Sequence, residues 1–241
     1  MKFWKKGFSQ GGEDLILAKL FNYKPTGFFI DVGANEPVKL NNTYLFYKLG
    51  WKGLNFEPIP ELAEKFKSKR RNDIVINKAM SNFVGEAEFS AGKNEYEVNS
   101  SLLKVNLPKQ KMIKVSVDKL ENILDQLKIK EIDFISIDTE GTEVDVLEGL
   151  NLDEYRPRFI LVEYNTASKA NDKLSPFLLS KGYQPFYINT WNIIFSENFS
   201  EDAIKCYTSN NNILRRSIAR FVNKIKTGRR IFFEYLHYLF F

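Results

Sequence analysis

The 241-residue sequence is short of the residues that most often carry metal and redox chemistry. Its one cysteine, Cys206, excludes an intrachain disulfide and any cage of cysteine ligands, and a cytosolic setting is expected from that. Its one histidine, His237, lies far along the C-terminal segment, so a histidine base in the body of the chain is excluded by counting. No uncharged apolar run reaches the length of a membrane span. The N-terminal MKFWKKGFSQ is basic, but the run after it is broken by Gly11, Gly12, Glu13 and Asp14, so a signal peptide is not expected. Internal repeats and low-complexity segments are also missing.

A net charge spread over the body is missing too. The formal charge is +5, yet residues 212–241 hold seven Lys or Arg and one acid, Glu234, which leaves the other 211 residues at −1. The excess is local, and no nucleic-acid partner is expected for the body.

What the sequence does have is short apolar runs alternating with helical stretches. Strands are expected at FFIDV (28–32), GLNF (53–56), IDFISID (132–138) and RFILVEY (158–164), and DIVINKAM (73–80) is expected as a strand running into a turn. GEAEFS and KMIKVSV alternate in the strand manner, and YQPFYIN and NIIFS close the series. Helices are expected over 12–22, 43–49, from Pro60, after a cap at Ser116 or Asp118, over 142–150 and up to Gly182. Strands that are runs rather than alternations suit a mostly parallel sheet covered by helices. The last two strands have no helix between them and predict an antiparallel edge.

Four of these strands end on or near an acid: Asp31, Glu57, Asp138 and Glu163. In an open parallel sheet ligands bind beyond the carboxyl ends of the strands, so four carboxylates are brought toward one rim. Gly33 would permit a tight turn and a close approach to the backbone. Glu57 is placed to accept both hydroxyls of a ribose. The loop D-V-G-A-N lacks the G-x-G-x-x-G of pyrophosphate sites, so a nucleoside without phosphate, such as S-adenosylmethionine, fits better than a dinucleotide. Its sulfonium and ammonium suit an acid-rich pocket. The plainer reading of D-x-G-x-N is a turn followed by a helix cap.

SQGGEDLIL (9–17), FIDVGANEP (29–37), FYKLGWKGLNFEPIPE (46–61), VSVDKL (115–120), DFISIDTEGTEVDVLEGL (133–150) and ILVEYN (160–165) together resemble the FkbM-type family of S-adenosylmethionine-dependent methyltransferases. The resemblance covers roughly residues 9–195. It implies a Rossmann-like class I methyltransferase sandwich, with a mostly parallel seven-stranded sheet and an antiparallel C-terminal edge. It also implies methyl transfer to a hydroxyl of a sugar, a glycan or a related small molecule. Asp31, Gly33 and Asn35 would then shape the methionine side of the pocket, Glu57 would hold the ribose, and NKAMS (77–81), with Ala79, would flank the adenine. Many members have G-A-N-x-G in the first loop; here Glu36 and Pro37 stand there, which weakens any transfer of substrate class.

With no histidine at hand, a base for the acceptor hydroxyl should be a carboxylate, Asp138 first and Glu163 second. Glu140 and Glu143 follow, although Glu143 would equally serve as a first-turn helix acid. Asp138, Glu140 and Glu163 are also an oxygen set that Mg2+ or Ca2+ would accept, but a metal is not expected. The polar loop 93–103 is either a sugar-reading lid or solvated loop. Residues 1–205 form the expected methyltransferase domain and 206–241 a basic, aromatic helical tail. In the tail Leu214, Ile218, Phe221 and Ile225 recur at helical spacing among Arg215, Arg216, Arg220 and Lys224. That pattern predicts peripheral contact with the inner face of a membrane; packing on the body or on a second subunit is the alternative.

Overall fold

A computed structural model describes residues 7–91, 102, 111–164 and 171–199. The expected polar loop 93–103, apart from Leu102, lies outside these residues, as do Cys206, His237 and the whole 206–241 tail.

The main sheet is built on β1 (Phe28–Val32), flanked by β2 (Lys52–Phe56) and β7 (Phe134–Ile137). Adding β3 (Ile74–Ile76), β8 (Phe159–Glu163), β9 (Gln184–Ile188) and β10 (Asn192–Ser196) gives the order β3-β2-β1-β7-β8-β10-β9. The first five run parallel, and β10 is antiparallel to both β8 and β9. This is the expected mostly parallel, seven-stranded class I sheet with its antiparallel edge.

Both faces of the strands are apolar because both are covered. Ile30, Val32, Leu54, Phe56, Ile135, Ile137, Ile160 and Val162 face one core. Leu120, Ile123 and Leu124 of α4 (Leu120–Leu127), Val146 and Leu147 of α5 (Glu143–Glu148) and Leu174 and Leu178 of α6 (Asn171–Ser180) complete it. Phe29, Phe134, Phe159 and Leu161 face the other, against α1 (Glu13–Leu20), α2 (Tyr44–Leu49) and Trp51. Phe21 meets Trp51 and Phe159 edge-on at 5.0 and 5.3 Å, an arrangement that adds about 0.5–1.5 kcal/mol per pair beyond area burial. Pro60 opens α3 (Pro60–Lys69), where its missing N–H costs nothing.

At 73–80 the expected strand does run into a turn: β3 stops at Ile76, and beyond the turn β4 (Ala79–Met80) belongs to a second, unexpected sheet. The break is held by Asn77, whose amide donates to the carbonyls of Glu57 and Pro58 at 2.8 and 2.9 Å. That second sheet, β4-β6-β5, pairs β6 (Lys111–Asp118) antiparallel with β5 (Gly85–Ala91) and parallel with β4. Because β6 continues through Asp118, neither Ser116 nor Asp118 is the cap of α4; Lys119 occupies that place.

Candidate active site at the strand ends

Strand register gathers the acids. Val32, Phe56, Ile137 and Val162 are partners across β1, β2, β7 and β8. The next residue of each chain therefore falls in one row, Glu57–Gly33–Asp138–Glu163. Asp31 lies deeper, beside Asn55 and Ser136.

Gly33 is the hinge of that row. Its φ is +77°, and a Cβ there would stand 1.9 Å from the Asp138 carbonyl oxygen. The glycine makes room for a neighbouring strand end, a tighter demand than the turn expected from the sequence. The N–H groups of Gly33 and Ala34 both donate to the Phe56 carbonyl, and the Asp138 N–H donates to Val32, so three strand ends are laced together. Asn35 follows in the left-handed region at φ +48°, which asparagine tolerates. Its N–H donates to Glu57 Oε2 at 2.8 Å, and Ile59 N–H donates to Oε1 at 2.8 Å. Burial still wins over these two bonds and pushes the Glu57 carboxyl up to about 7.

Asp31 is buried in a network that sequence reasoning missed. Its Oδ2 accepts from Thr43 Oγ1 at 2.7 Å and from Asn41 Nδ2 at 3.4 Å. Behind them sits Arg70, a guanidinium with 0% exposure. It donates to the Pro37 carbonyl at 2.7 Å, to Thr43 Oγ1 at 2.8 Å and to Asn41 Oδ1. Burial raises the Asp31 carboxyl and the Arg70 charge opposes it. Nothing local marked Arg70: a basic residue after the last turn of a helix is normally a solvated partner of the helix dipole.

On β7 and β8 the acids face one another. One oxygen from each of Asp138, Glu140 and Glu163 falls within 4.8 Å of the others, and all three side chains are half-buried. Asp138 is lifted well above the carboxylate range, first by burial and then by the charges of Glu163, Glu143 and Asp31. Burial, followed by neighbouring acids, lifts Glu140 and Glu163 to about 7. A hydrogen bond joins Asp138 to Glu163 and favours the protonated form of Asp138. Such an assembly suits proton exchange near neutral pH, or a cation. The oxygen set also has the chemistry of the Mg2+ or Ca2+ alternative raised from the sequence.

Glu143, by contrast, is the first residue of α5 and shapes the loop. Its Oε1 accepts from Thr139 N–H, Thr139 Oγ1 and Gly141 N–H at 3.2, 3.1 and 2.9 Å. The N-terminal GGED segment closes the β8 side: Glu13, fully buried, accepts from Asn189 of the β9–β10 turn and from Asn192, the first residue of β10, which pairs with Glu163. Ala79 packs in β4 with Phe89, Val115 and Val117 in the small third core.

A family model described as the methyltransferase FkbM domain matches residues 31–185. No curated protein matches the chain. Among solved structures, the chain is similar to a precorrin-6y C5,15-methyltransferase from Geobacter metallireducens, at 12% identity and TM-score 0.46 over 81% of this chain and 92% of that one. It is also similar to an O-methyltransferase from Bacillus cereus in complex with S-adenosylhomocysteine (SAH), at 9% identity and TM-score 0.46 over 80% and 84%. A third is a fibrillarin pre-rRNA processing protein from Methanococcus jannaschii, at 8% identity and TM-score 0.45 over 72% and 67%.

Proposed function

The chain belongs to the FkbM methyltransferase domain family and is an S-adenosylmethionine-dependent methyltransferase, and from that premise we propose that it methylates a hydroxyl of a sugar, a glycan or a related small molecule. The observation that carries the proposal is the meeting of Asp138, Glu140 and Glu163 oxygens within 4.8 Å at the ends of β7 and β8. A sugar hydroxyl becomes a good nucleophile only as its proton leaves, and carboxylates that titrate near 7 can receive it at neutral pH.

The rim fits an adenosyl cofactor by its chemistry. When bound, that cofactor supplies a methyl group activated on a positive sulfur. Each Glu57 oxygen already receives one backbone N–H and keeps capacity for a ribose hydroxyl. Asp31, Gly33 and Asn35 bound the methionine side, and Ala79 flanks the adenine. Asp138 is the first-choice base and acts as one site with Glu163: while Asp138 holds the proton of their hydrogen bond, Glu163 is the carboxylate that accepts. Holding the acceptor in line beside that pair does the rest. The body, 1–205, would carry this chemistry. The basic 206–241 tail would hold it against the inner face of an anionic membrane, with about 1 kcal/mol from each charge near the surface. Among the described residues no helix is long and apolar enough to cross one.

Calorimetric titration with S-adenosylmethionine, SAH and NAD, on the natural protein and Glu57→Ala, tests the cofactor half. Saturable binding of the first two, weakened by the substitution and absent for NAD, is expected. Transfer of labelled methyl to a panel of glycan acceptors, with Mg2+ and with chelator, tests the acceptor half. Labelling of protein or RNA in place of glycan would overturn it. Folded protein that binds S-adenosylmethionine yet labels nothing would favour the alternative, a silent nucleoside-binding scaffold.

A further inference from the structure

Arg70 is a buried cation whose short bonds all run to one loop. It follows the last turn of α3, where its N–H donates to the Phe66 carbonyl at 2.8 Å. From there the side chain turns back under residues 37–43, the link between β1 and α2. Its guanidinium carbon lies 4.6 Å from the centroid of the Phe66 ring and 5.3 Å from that of Tyr44, so aromatic faces flank it. Contacts to Asn55 and Asp73 exist, but at 3.5 Å they are weaker.

The residue that Arg70 grips is the hub of the loop. Asn41 Oδ1 accepts Arg70 together with the N–H groups of Thr43 and Tyr44, at 2.9 and 2.8 Å. Its amide donates to the carbonyls of Ala34 and Glu36 at 3.2 and 2.9 Å. Those residues flank Asn35, whose N–H holds Glu57. A second route runs from Arg70 through Thr43 Oγ1 to Asp31. One guanidinium therefore sets both ends of the segment 31–43.

We propose that Arg70 is a positioning residue for cofactor binding: its fork fixes Asn41, Pro37 and Thr43 so that residues 33–36 keep the shape that receives the methionine end of S-adenosylmethionine. The assignment rests on the reading that this loop holds that cofactor. Arginine is required and lysine does not replace it. The three short bonds leave from three different nitrogens, whereas a lysine offers one point charge.

The test uses the full chain with Arg70→Lys, Arg70→Met and Thr43→Val, read by calorimetry with SAH, circular dichroism and amide hydrogen exchange. Arg70→Lys should keep the natural spectrum and lose SAH affinity about tenfold, the loss expected when a buried bond to a charged donor goes. Thr43→Val, which cuts the route to Asp31 and one of the three short Arg70 bonds but leaves Arg70 on Asn41 and Pro37, should lose about threefold. Exchange in Arg70→Lys should speed up at residues 33–44 and stay unchanged in β7 and β8. A Arg70→Met chain that fails to fold leaves the lysine and valine variants to decide. A folded Arg70→Lys protein that melts earlier but binds SAH within twofold of the natural chain would overturn the assignment alone, leaving Arg70 a structural cation. Natural protein that binds neither adenosyl compound would remove the premise, and the assignment would fall with the cofactor reading.

Discussion

Asp31, on the β1–β2 side of the rim, and Asp73, at the other end of the sheet where β3 begins, lie beside the guanidinium of Arg70. On the β7–β8 side, the charges that act most strongly on Asp138 and Glu163 are those of other carboxylates. Asp31 and Asp138 stand on adjacent strands, Asp31 the deeper, and the two groups differ in what balances them. A buried acid with a fixed cation and hydroxyl donors is held in one state, which suits a scaffold. Buried acids that repel one another share protons and respond to pH and to arriving cations, which suits chemistry.

Gly33 is the seam between the two groups, and breaking it should have the largest effect. Gly33→Ala places a methyl at φ +77° and 1.9 Å from the backbone oxygen of Asp138, an atom that cannot step aside cheaply. A loss of more than about 3 kcal/mol is expected, seen as a drop of roughly 6–12 °C in Tm, with SAH binding abolished. Gly12 is the control: its φ is +83°, but a Cβ there meets nothing within 4 Å. Gly12→Ala should cost only the backbone term, about 1–2 kcal/mol.

Next in size is the separation of scaffold from chemistry. Asp138→Asn should cut methyl transfer by about 10²–10⁴-fold while SAH affinity changes little. Asp31→Asn should do the reverse, lowering Tm and cofactor affinity together, because the Thr43 and Asn41 donors and the Arg70 charge lose their carboxylate. Equal loss of turnover in both variants, at unchanged affinity, would erase the distinction between the two sides.

How much of this was legible from the sequence differs between the same two regions. The acids of β2, β7 and β8 could be placed because each ends a short apolar run, and parallel register then aligns Glu57, Asp138 and Glu163 without further information. The mostly parallel order and the antiparallel close followed from spacing. Arg70 could not be placed, since it meets its partners across 27 to 33 residues of chain. Its sequence setting, KSKRRND, is that of an exposed helix end. The division of 73–80 between two sheets was hidden for a similar reason. Asn77 forms that break with carbonyls 19 and 20 residues away.

The pH dependence of stability sharpens the comparison with a smaller effect. Glu140 and Glu163 have their folded-state carboxyls raised from 4.5 to about 7, so the folded protein binds more protons than the unfolded chain between those values. Stability contributed by these groups is full below about 4.5 and is lost as pH rises through 7. Glu57 behaves in the same sense. Each would account for at most about 3 kcal/mol, and coupling makes the total less than the sum. Thermal melts of ligand-free protein should therefore fall by several degrees between pH 5 and pH 8, roughly 2–4 °C for each kcal/mol. Glu163→Gln should flatten the slope and raise Tm at pH 8. A melt that is level across this range would mean the acids of β7 and β8 are balanced after all.

The smallest effect is expected at Glu36, in the first loop beside Asn35. Its carboxylate pairs with Lys65, and both side chains are partly exposed, at 23% and 32%. Water competes for such a pair, which limits its worth to about 0–1 kcal/mol. What the loop takes from residue 36 is its carbonyl, the acceptor for Asn41, and any side chain leaves that in place. Glu36→Gln should accordingly shift Tm by no more than about 2 °C and SAH affinity by less than about twofold. The contrast with Arg70→Lys is the point of the measurement, since both substitutions alter one charged group within the same loop network. If the exposed pair proved as costly as the buried fork, burial would not be what separates a positioning charge from a surface one, and the reading of Arg70 would need a different foundation.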